Sequence, residues 1–503
     1  MSRAVRSFRL TGAAAAAALV LAGCSLAPTY ERPAAPISAQ WPDAQAANVQ
    51  DAQVPAAEIG WREFFRDARL QRVIEITLEN NRDLRIALQR VEEARAQYGV
   101  QRGEQFPSIG LGAQGTRQHV PQNMRVGGPD STSISSQYQA GLALTSFEID
   151  LFGKLRNQSE AAFQTFLATE QAQKTAQINL VGQVAQAYLT LRAAESELEL
   201  VRQTRKAREE SFDLVRARYE GEVASELELN QARSLLDSAD ATLAALDRTR
   251  SQARNALTVL MGQPEPGDLP EAAPFDRDQL LASVPAGLPS DLLARRPDIM
   301  GAEHQLLAAN ASIGAARAAF FPTISLTGLL GSGSAPLSGL FEAGSGMWSF
   351  SPQIAMPLFA GGSIRSGVAL AEARNNIAVA QYEQTIQQAF REVADALAGE
   401  ATYGTQLDAQ RSFTQAQLKT LDLSNLRYEN GVDSYLQVQT AQIDALDAQR
   451  SLIQTGLAAL VNRIELYKAL GGGWNEQTVQ SDAQVDGESG DGGNAVADQA
   501  ASS

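Results

Sequence analysis

Few residues of this chain are of types that carry out chemistry, and their spacing decides what each can do. The single cysteine, Cys24, follows Leu21-Ala22-Gly23 at the end of an apolar run from Leu10 through Ala22, itself preceded by Arg3, Arg6 and Arg9. Basic, apolar and small residues in that order have the form of a secretory signal, too short to cross a bilayer. A cysteine at its end is a nucleophile for a diacylglyceryl thioether, with cleavage just before it. This reading gives a mature chain that begins at a lipidated Cys24; the bland alternative is a free thiol. No second cysteine exists for a disulfide or a thiolate metal site. The two histidines, His119 and His304, stand far apart without an HExxH-type spacing, so neither an imidazole base nor a metal cluster is expected. Gly110 to Gly115 satisfies GxGxxG, yet Thr116-Arg117-Gln118-His119-Val120-Pro121 cannot open the helix that a pyrophosphate site requires. An enzyme is therefore not expected, nor any cofactor beyond a covalent lipid (diacylglyceryl and N-acyl) on Cys24.

The remaining chemistry is noncovalent. Arg218-Tyr219-Glu220 and Arg427-Tyr428-Glu429 each offer a guanidinium, a phenol and a carboxylate just before Gly221 or Gly431. Such clusters could tie neighbouring helices by hydrogen bonds, or be surface pairs worth almost nothing. A formal net charge of −15 argues against nucleic acid as a partner. Losing Arg3, Arg6 and Arg9 with the signal takes it to −15 − 3 = −18. Nothing downstream offers 18 consecutive apolar residues, so a mature chain that crosses a membrane must do so as a closed β-barrel.

A duplicated framework must position these residues. Shifting the numbering by 215 brings Asp83 onto Asp298, Gly99 onto Gly314 and Phe106-Pro107 onto Phe321-Pro322. Farther along the shift becomes 209, pairing Arg156 with Arg365, Val184 with Val393 and Gly262 with Gly471. One repeat of roughly 180 residues has been copied. The expected order is a signal peptide at 1–23, a lipidated extended segment at 24–66, repeat 1 at 67–263, a Pro-rich linker at 264–290, repeat 2 at 291–471 and a disordered acidic tail at 472–503.

Each repeat should open with a helix, about Ala68 to Gln105 and Asp291 to Ala319, ended by Pro107 or Pro322. Two strands follow: Ile109 to Ala113 and Tyr138 to Leu144, then Thr323 to Leu329 and Trp348 to Leu358. Polar, Gly-rich loops at Gly115 to Ser136 and Gly331 to Gly346 join them. Long helices come next, Leu155 to Tyr219 and Ile364 to Tyr428, each a rod of about 100 Å. Val184, Ala187, Leu191, Ala194, Leu198 and Val201 step by three and four, as do Val379, Tyr382, Ile386, Ala389, Val393 and Ala396. That spacing suits a coiled-coil seam or ordinary bundle core. After turns at Glu220 to Ser225 and Glu429 to Ser434, shorter helices return to Gly262 and Gly471. Four strands cannot close a barrel, for which about eight is the minimum. The chain must oligomerise, and three copies of four strands would give a twelve-stranded, quasi-six-fold tube.

Several runs together resemble a known family: Leu21-Ala22-Gly23-Cys24 followed by Pro28-Thr29-Tyr30; Ser146 through Arg156 (SFEIDLFGKLR); Arg295-Arg296-Pro297-Asp298-Ile299; Phe320-Phe321-Pro322; and Tyr467 through Trp474 (YKALGGGW). They are similar to the OprM-like (NodT-type) lipoprotein branch of the TolC-like outer-membrane factor family, over nearly the whole mature chain. The resemblance implies a mixed, mostly α fold: a trimeric outer-membrane β-barrel continued by an α-helical coiled-coil barrel through the periplasm. It implies a homotrimer in the outer membrane of a Gram-negative bacterium that docks to a periplasmic adaptor protein and an inner-membrane pump, commonly of the resistance-nodulation-division class. Its role would be the exit duct of a tripartite efflux system for drugs or similar amphiphiles. Ser25 in place of Asp after the cysteine implies delivery to the outer membrane.

In this family polar contacts near the helix turns close the periplasmic tip, and acidic residues there narrow the lumen. Tyr428 and Gly431 match the second turn, but Gln437 and Thr440 stand where acidic residues often lie. Glu226, Glu228 or Asp433 could supply the charge, or be carboxylates favoured by a helix start. The candidate gate thus comprises Arg218, Tyr219, Glu226, Glu228, Arg427, Tyr428, Asp433, Gln437 and Thr440. Two rivals fit parts of the sequence: a lipid-anchored periplasmic coiled-coil structural protein, against which the four strand segments argue, and a type I secretion duct.

Overall fold

The computed structural model describes residues 25–42, 54–124, 133–276, 279–281 and 284–478. Cys24, the expected signal peptide at 1–23 and the tail from 479 onward lie outside the described residues. The helices and strands, in chain order, are α1 (Trp61–Phe64), α2 (Ala68–Asn80), α3 (Arg82–Gly103), β1 (Ile109–His119), β2 (Ile134–Glu148), α4 (Lys154–Glu220) and α5 (Glu226–Met261). The second half gives α6 (Leu292–Arg295), α7 (Pro297–Ala318), β3 (Thr323–Ser334), β4 (Gly346–Ala355), α8 (Ser363–Glu429) and α9 (Tyr435–Ala469). The long helices α4 and α8 are 67 residues each. In each three-and-four stripe, five of the six residues are buried; only Ala187 and Val379 are partly exposed.

The opening helix of each repeat is broken where a continuous one was expected. In repeat 1 the break is Asn81, whose extended backbone ends α2. Its Oδ1 accepts from the Leu84 N–H at 2.9 Å and its Nδ2 donates to the Leu260 carbonyl at 2.9 Å. One amide thus caps the start of α3 and satisfies a carbonyl at the end of α5. In repeat 2 the break is Arg296, extended because the following Pro297 disfavours the helical region for the residue before it. The pause aims the buried Arg296 guanidinium at the Ala469 carbonyl at 2.7 Å and at Glu392 at 2.9 Å.

The strands also differ from expectation. β1 runs to His119 and β2 starts at Ile134, so both ends of the expected loop from Gly115 to Ser136 are strand. Both faces of β1 are polar there, Thr116 and Gln118 on one side and Arg117 and His119 on the side of Ile109 and Leu111, so the strand runs on past its apolar stretch. β4 stops at Ala355 rather than Leu358, ahead of the donor-less Pro357. The four strands form one antiparallel sheet in the order β1-β2-β3-β4. At the joint between repeats Gly141 faces Gly331, and a Cβ on Gly141 would collide with the Leu330 carbonyl oxygen. Only glycine fits so close an approach. A bulge follows at Ser146, whose φ is 46°.

The chain divides into two units. The first holds the described residues up to Pro36, Ile86–Gln173 and Asp298–Ile386, including the sheet; the second holds Ile37–Arg85, Lys174–Pro297 and the chain from Gln387. In the second unit Tyr467 stacks on Phe64 with centroids 3.9 Å apart and donates to the Ile59 carbonyl at 2.6 Å. Two segments expected to be loose are packed here. Leu280 of the linker bridges Phe65, and its neighbour Leu281 donates to the Phe64 carbonyl at 2.9 Å. The start of the tail is bound as well: Trp61 N–H donates to the Asn475 carbonyl at 2.9 Å and Gln177 to that of Trp474 at 3.0 Å.

Candidate functional site

Three places could do work: the chain just after Cys24, the two faces of the sheet, and the helix turns. Residues 25–32 lie in the first unit as a strap. Ser25 Oγ donates to Asn157 at 2.8 Å, the Pro28 carbonyl accepts from Asn310 at 2.9 Å, and Arg32 Nε donates to Glu303 at 2.8 Å. Tyr30 donates its hydroxyl to the same Glu303 at 3.1 Å. Burial pushes the Glu303 carboxyl up, but the hydrogen bond and charge of Arg32 outweigh it and hold the group below its ordinary value. His304 is half-buried and shares a 2.7 Å hydrogen bond with Gln164, the role of a packed side chain.

In the sheet, side chains alternate between two faces. One row of partners reads Leu111, Leu142, Leu330, Trp348, and the next Ile109, Leu144, Gly328, Phe350. The opposite face carries mostly glycine, amide and hydroxyl groups, as in Gln114 beside Gln139 and Ser325 beside Gln353, with Leu329, Met347 and Glu148 among them. Leu111, Leu330, Trp348 and Ile354 are each more than 60% exposed, so nothing among the described residues covers these parts of the apolar face. An apolar outer band over a polar inner face is the pattern of a membrane barrel.

The turns lie in the second unit. At the end of α4, Glu222 N–H donates to Tyr219 O and Val223 N–H to Arg218 O; at the end of α8, Gly431 N–H donates to Tyr428 O and Val432 N–H to Arg427 O. Both are Schellman ends, which require a left-handed residue. In repeat 2 that residue is Gly431, φ 73°; in repeat 1 it is Glu222, φ 61°. The counterpart of Gly431 is therefore Glu222, not Gly221.

The two Arg-Tyr-Glu clusters, expected to act alike, do not. Arg427 grips Asp433 with Nε at 2.6 Å and Nη2 at 3.0 Å. Those hydrogen bonds hold the Asp433 carboxyl below its ordinary value and raise Arg427. Repeat 1 has Ala224 at the matching position, and Arg218 instead lies over the Tyr428 ring, 4.8 Å from its centroid. Tyr428 is buried with Val215, Ala232, Tyr435 and Val438, whereas its counterpart Tyr219 is 40% exposed. The Tyr428 hydroxyl has no hydrogen-bond partner among the described residues, and burial raises its pKa.

The other candidates scatter. Glu228 forms a capping box with Ser225, the helix-start role, and Glu226 is exposed. Gln437 and Thr440 are exposed, with the Thr440 hydroxyl turned back to the Leu436 carbonyl at 3.0 Å. Tyr435, missed in the sequence, is buried, stands 5.4 Å from the Tyr428 ring and shares a 3.3 Å hydrogen bond with Ser211. Its signal was available, because a shift of 209 places it on the charged Glu226. Arg208, also missed, is buried nearby and donates to the Leu235 carbonyl at 3.0 Å.

This duplicated arrangement of strand pair and long helix pair matches the outer membrane efflux protein family over residues 73–263 and 288–472. The chain belongs to that family. The antibiotic efflux pump outer membrane protein ArpC of Pseudomonas putida is 47% identical to it over 472 residues, covering 94% of this chain and 97% of that protein. The toluene efflux pump outer membrane protein TtgC of the same species matches with the same identity and coverage. Among solved structures, the open-state MtrE outer membrane channel of Neisseria gonorrhoeae is 37% identical with a TM-score of 0.82, covering 91% of this chain and 100% of that one. The chain is an outer-membrane efflux channel with the fold of the trimeric channels in this family, four strands to a chain beside long helices.

Proposed function

We propose that three copies of this chain form the passive exit duct of a tripartite pump, fed by a periplasmic adaptor protein and an inner-membrane pump of the resistance-nodulation-division class. The observation that carries this is the sheet: it is apolar on one face, mostly glycine, amide and hydroxyl on the other, and unpaired at both outer edges among the described residues. Open edges do not persist in lipid, so further copies must pair them. An inner face of mostly uncharged polar groups, with the Glu148 carboxylate beside Ser325 held by Lys154, suits drugs and other amphiphiles of varied structure. Relatives named for antibiotic and for toluene efflux, at the same identity to this chain, support a duct whose cargo is chosen by the pump. The duct performs no catalysis. Cys24 carries the lipid that joins the chain to the outer membrane, and Arg218 over Tyr428 with Arg427 on Asp433 holds the helix turns closed. Light scattering in mild detergent should give a trimer, and the trimer should conduct in planar bilayers; a monodisperse monomer, or trimers that never conduct, overturns the reading. Palmitate labelling should vanish in Cys24→Ala, and persistent labelling would remove the lipid from the account.

A further inference from the structure

The two outer edges of the sheet need a partner, and the internal duplication dictates how that partner is aligned. We infer that β4 of one copy pairs antiparallel with β1 of a second copy in a single register, from Trp348 opposite His119 to Ile354 opposite Ala113. The inference rests on the trimeric reading above and specifies the joint which that reading leaves open.

The register follows from pairings seen within the chain. The repeat carries β1 onto β3, with Phe106-Pro107 on Phe321-Pro322 and therefore Ile109 on Ile324. Ile109 faces Leu144 and Ile324 faces Ile354, so the repeat also carries Leu144 onto Ile354 and β2 onto β4. The joint between the two repeats is β2 on β3, in which Tyr138 faces Ser334 and Leu144 faces Gly328. Moving that joint on by one repeat turns Leu144 with Gly328 into Ile354 with Ala113, and Tyr138 with Ser334 into Trp348 with His119. Both segments fall inside existing strands, Ile109–His119 and Gly346–Ala355.

Chemistry not used in that derivation agrees with it. A slip by one residue would turn the apolar face of one strand onto the polar face of the other. In the inferred register the apolar row continues from Ile354 to Ala113, while the polar row sets Gln353 against Gln114, Ser351 against Thr116 and Ser349 against Gln118. Arg117 and His119 come opposite Phe350 and Trp348, placing basic groups beside aromatic rings at the end of the apolar band, where a membrane interface favours both. The close glycine pair Gly141 and Gly331 becomes Ser351 and Thr116, so the strands stand slightly farther apart at the new joint.

A second contact points the same way. Phe152, in the Leu-Phe run before α4, stacks on Phe321 with centroids 4.7 Å apart. Their repeat counterparts, Phe359 in the Leu-Phe run before α8 and Phe106, are 92% and 62% exposed. A neighbouring copy aligned as inferred brings that second pair together.

Cysteine pairs read the register directly. Opposed Cα atoms on antiparallel strands lie about 4.5–5.5 Å apart, within disulfide reach, while a two-residue displacement carries them beyond about 7 Å. Ser349→Cys with Gln118→Cys should, on oxidation of outer membranes, give covalent dimers and trimers at least about tenfold above the displaced pair Ser349→Cys with Thr116→Cys. Gln353→Cys with Gln114→Cys is a second matched pair should the first fail to assemble. If the displaced pair links as well as the matched ones in a chain that still scatters as a trimer, the register is wrong and the trimeric reading stands. If the wild-type chain scatters as a monomer, that reading fails and takes the inference with it.

Discussion

The turn after α4 and the turn after α8 descend from one ancestor and have come to do different work. Both close with the same two backbone hydrogen bonds, yet repeat 2 has glycine in the left-handed position and repeat 1 has Glu222. Repeat 2 adds Asp433 to hold its own arginine; repeat 1 has Ala224, and its Arg218 reaches across to the ring of Tyr428. Repeat 2 buries Tyr435 where repeat 1 exposes Glu226. The second turn is therefore braced from within, and the first leans on it. A backbone motif survives duplication because its hydrogen bonds need no particular side chains, while the side chains are free to divide the labour.

The largest test of this division is Tyr435→Ala against Glu226→Ala, the same repeat position in each copy. Removing a fully buried ring should cost about 3–5 kcal/mol, and removing an exposed carboxylate less than about 0.5 kcal/mol. Thermal melting of the two variants in the same detergent reads the contrast, and equal losses would erase it. Next come the left-handed positions. Gly431→Ala should cost about 1–2 kcal/mol, whereas Glu222→Gly relieves strain at some entropic cost and should lie between neutral and about 1 kcal/mol stabilising. Hydrogen exchange at the Val223 and Val432 amides would show whether the two substitutions move in opposite directions.

Acid should then release the second turn before the first. Asp433 is held below its ordinary carboxylate value by the hydrogen bonds from Arg427. A depressed pKa means that the tie contributes fully above the ordinary value and is lost as pH falls through the folded one, so the window lies below 3.8. Conductance should rise on entering that window, and Asp433→Asn should be open at neutral pH and lose that step. The smallest effect belongs to the phenol. Tyr428→Phe deletes a hydroxyl with no partner among the described residues and should leave conductance unchanged. Arg218→Ala loses a contact worth about 0.5–2 kcal/mol and should not.

Much of this fold was legible because length and repetition are strong signals. Expected rods of Leu155 to Tyr219 and Ile364 to Tyr428 became helices one residue longer at each end. The break at Asn81 was not legible, because it interrupts a run whose apolar spacing continues across it. Pro297 did announce the break at Arg296, by the rule already applied to Pro107 and Pro322. Strand length was underestimated because β1 runs on past the apolar band, where Thr116 to His119 are polar on both faces and read along one chain as a loop. The turn residues were found, but their partners were not: a ring stacked across repeats leaves no trace in local spacing. The unequal roles of Tyr219 and Tyr428 were hidden by their identical surroundings, Arg before and Glu after.

The strap at residues 25–32 changes what a lipid on this chain would be for. A lipid on a long flexible tail acts as a leash, free to drift and to let the protein roll beneath it. Here Ser25 is already tied to Asn157, Pro28 to Asn310, and Arg32 to Glu303. Acyl chains on the residue before Ser25 would have about 4 Å of slack, one Cα step. Such an anchor would work as a peg rather than a leash, setting a height for residues 25–32 at the membrane before any barrel had closed.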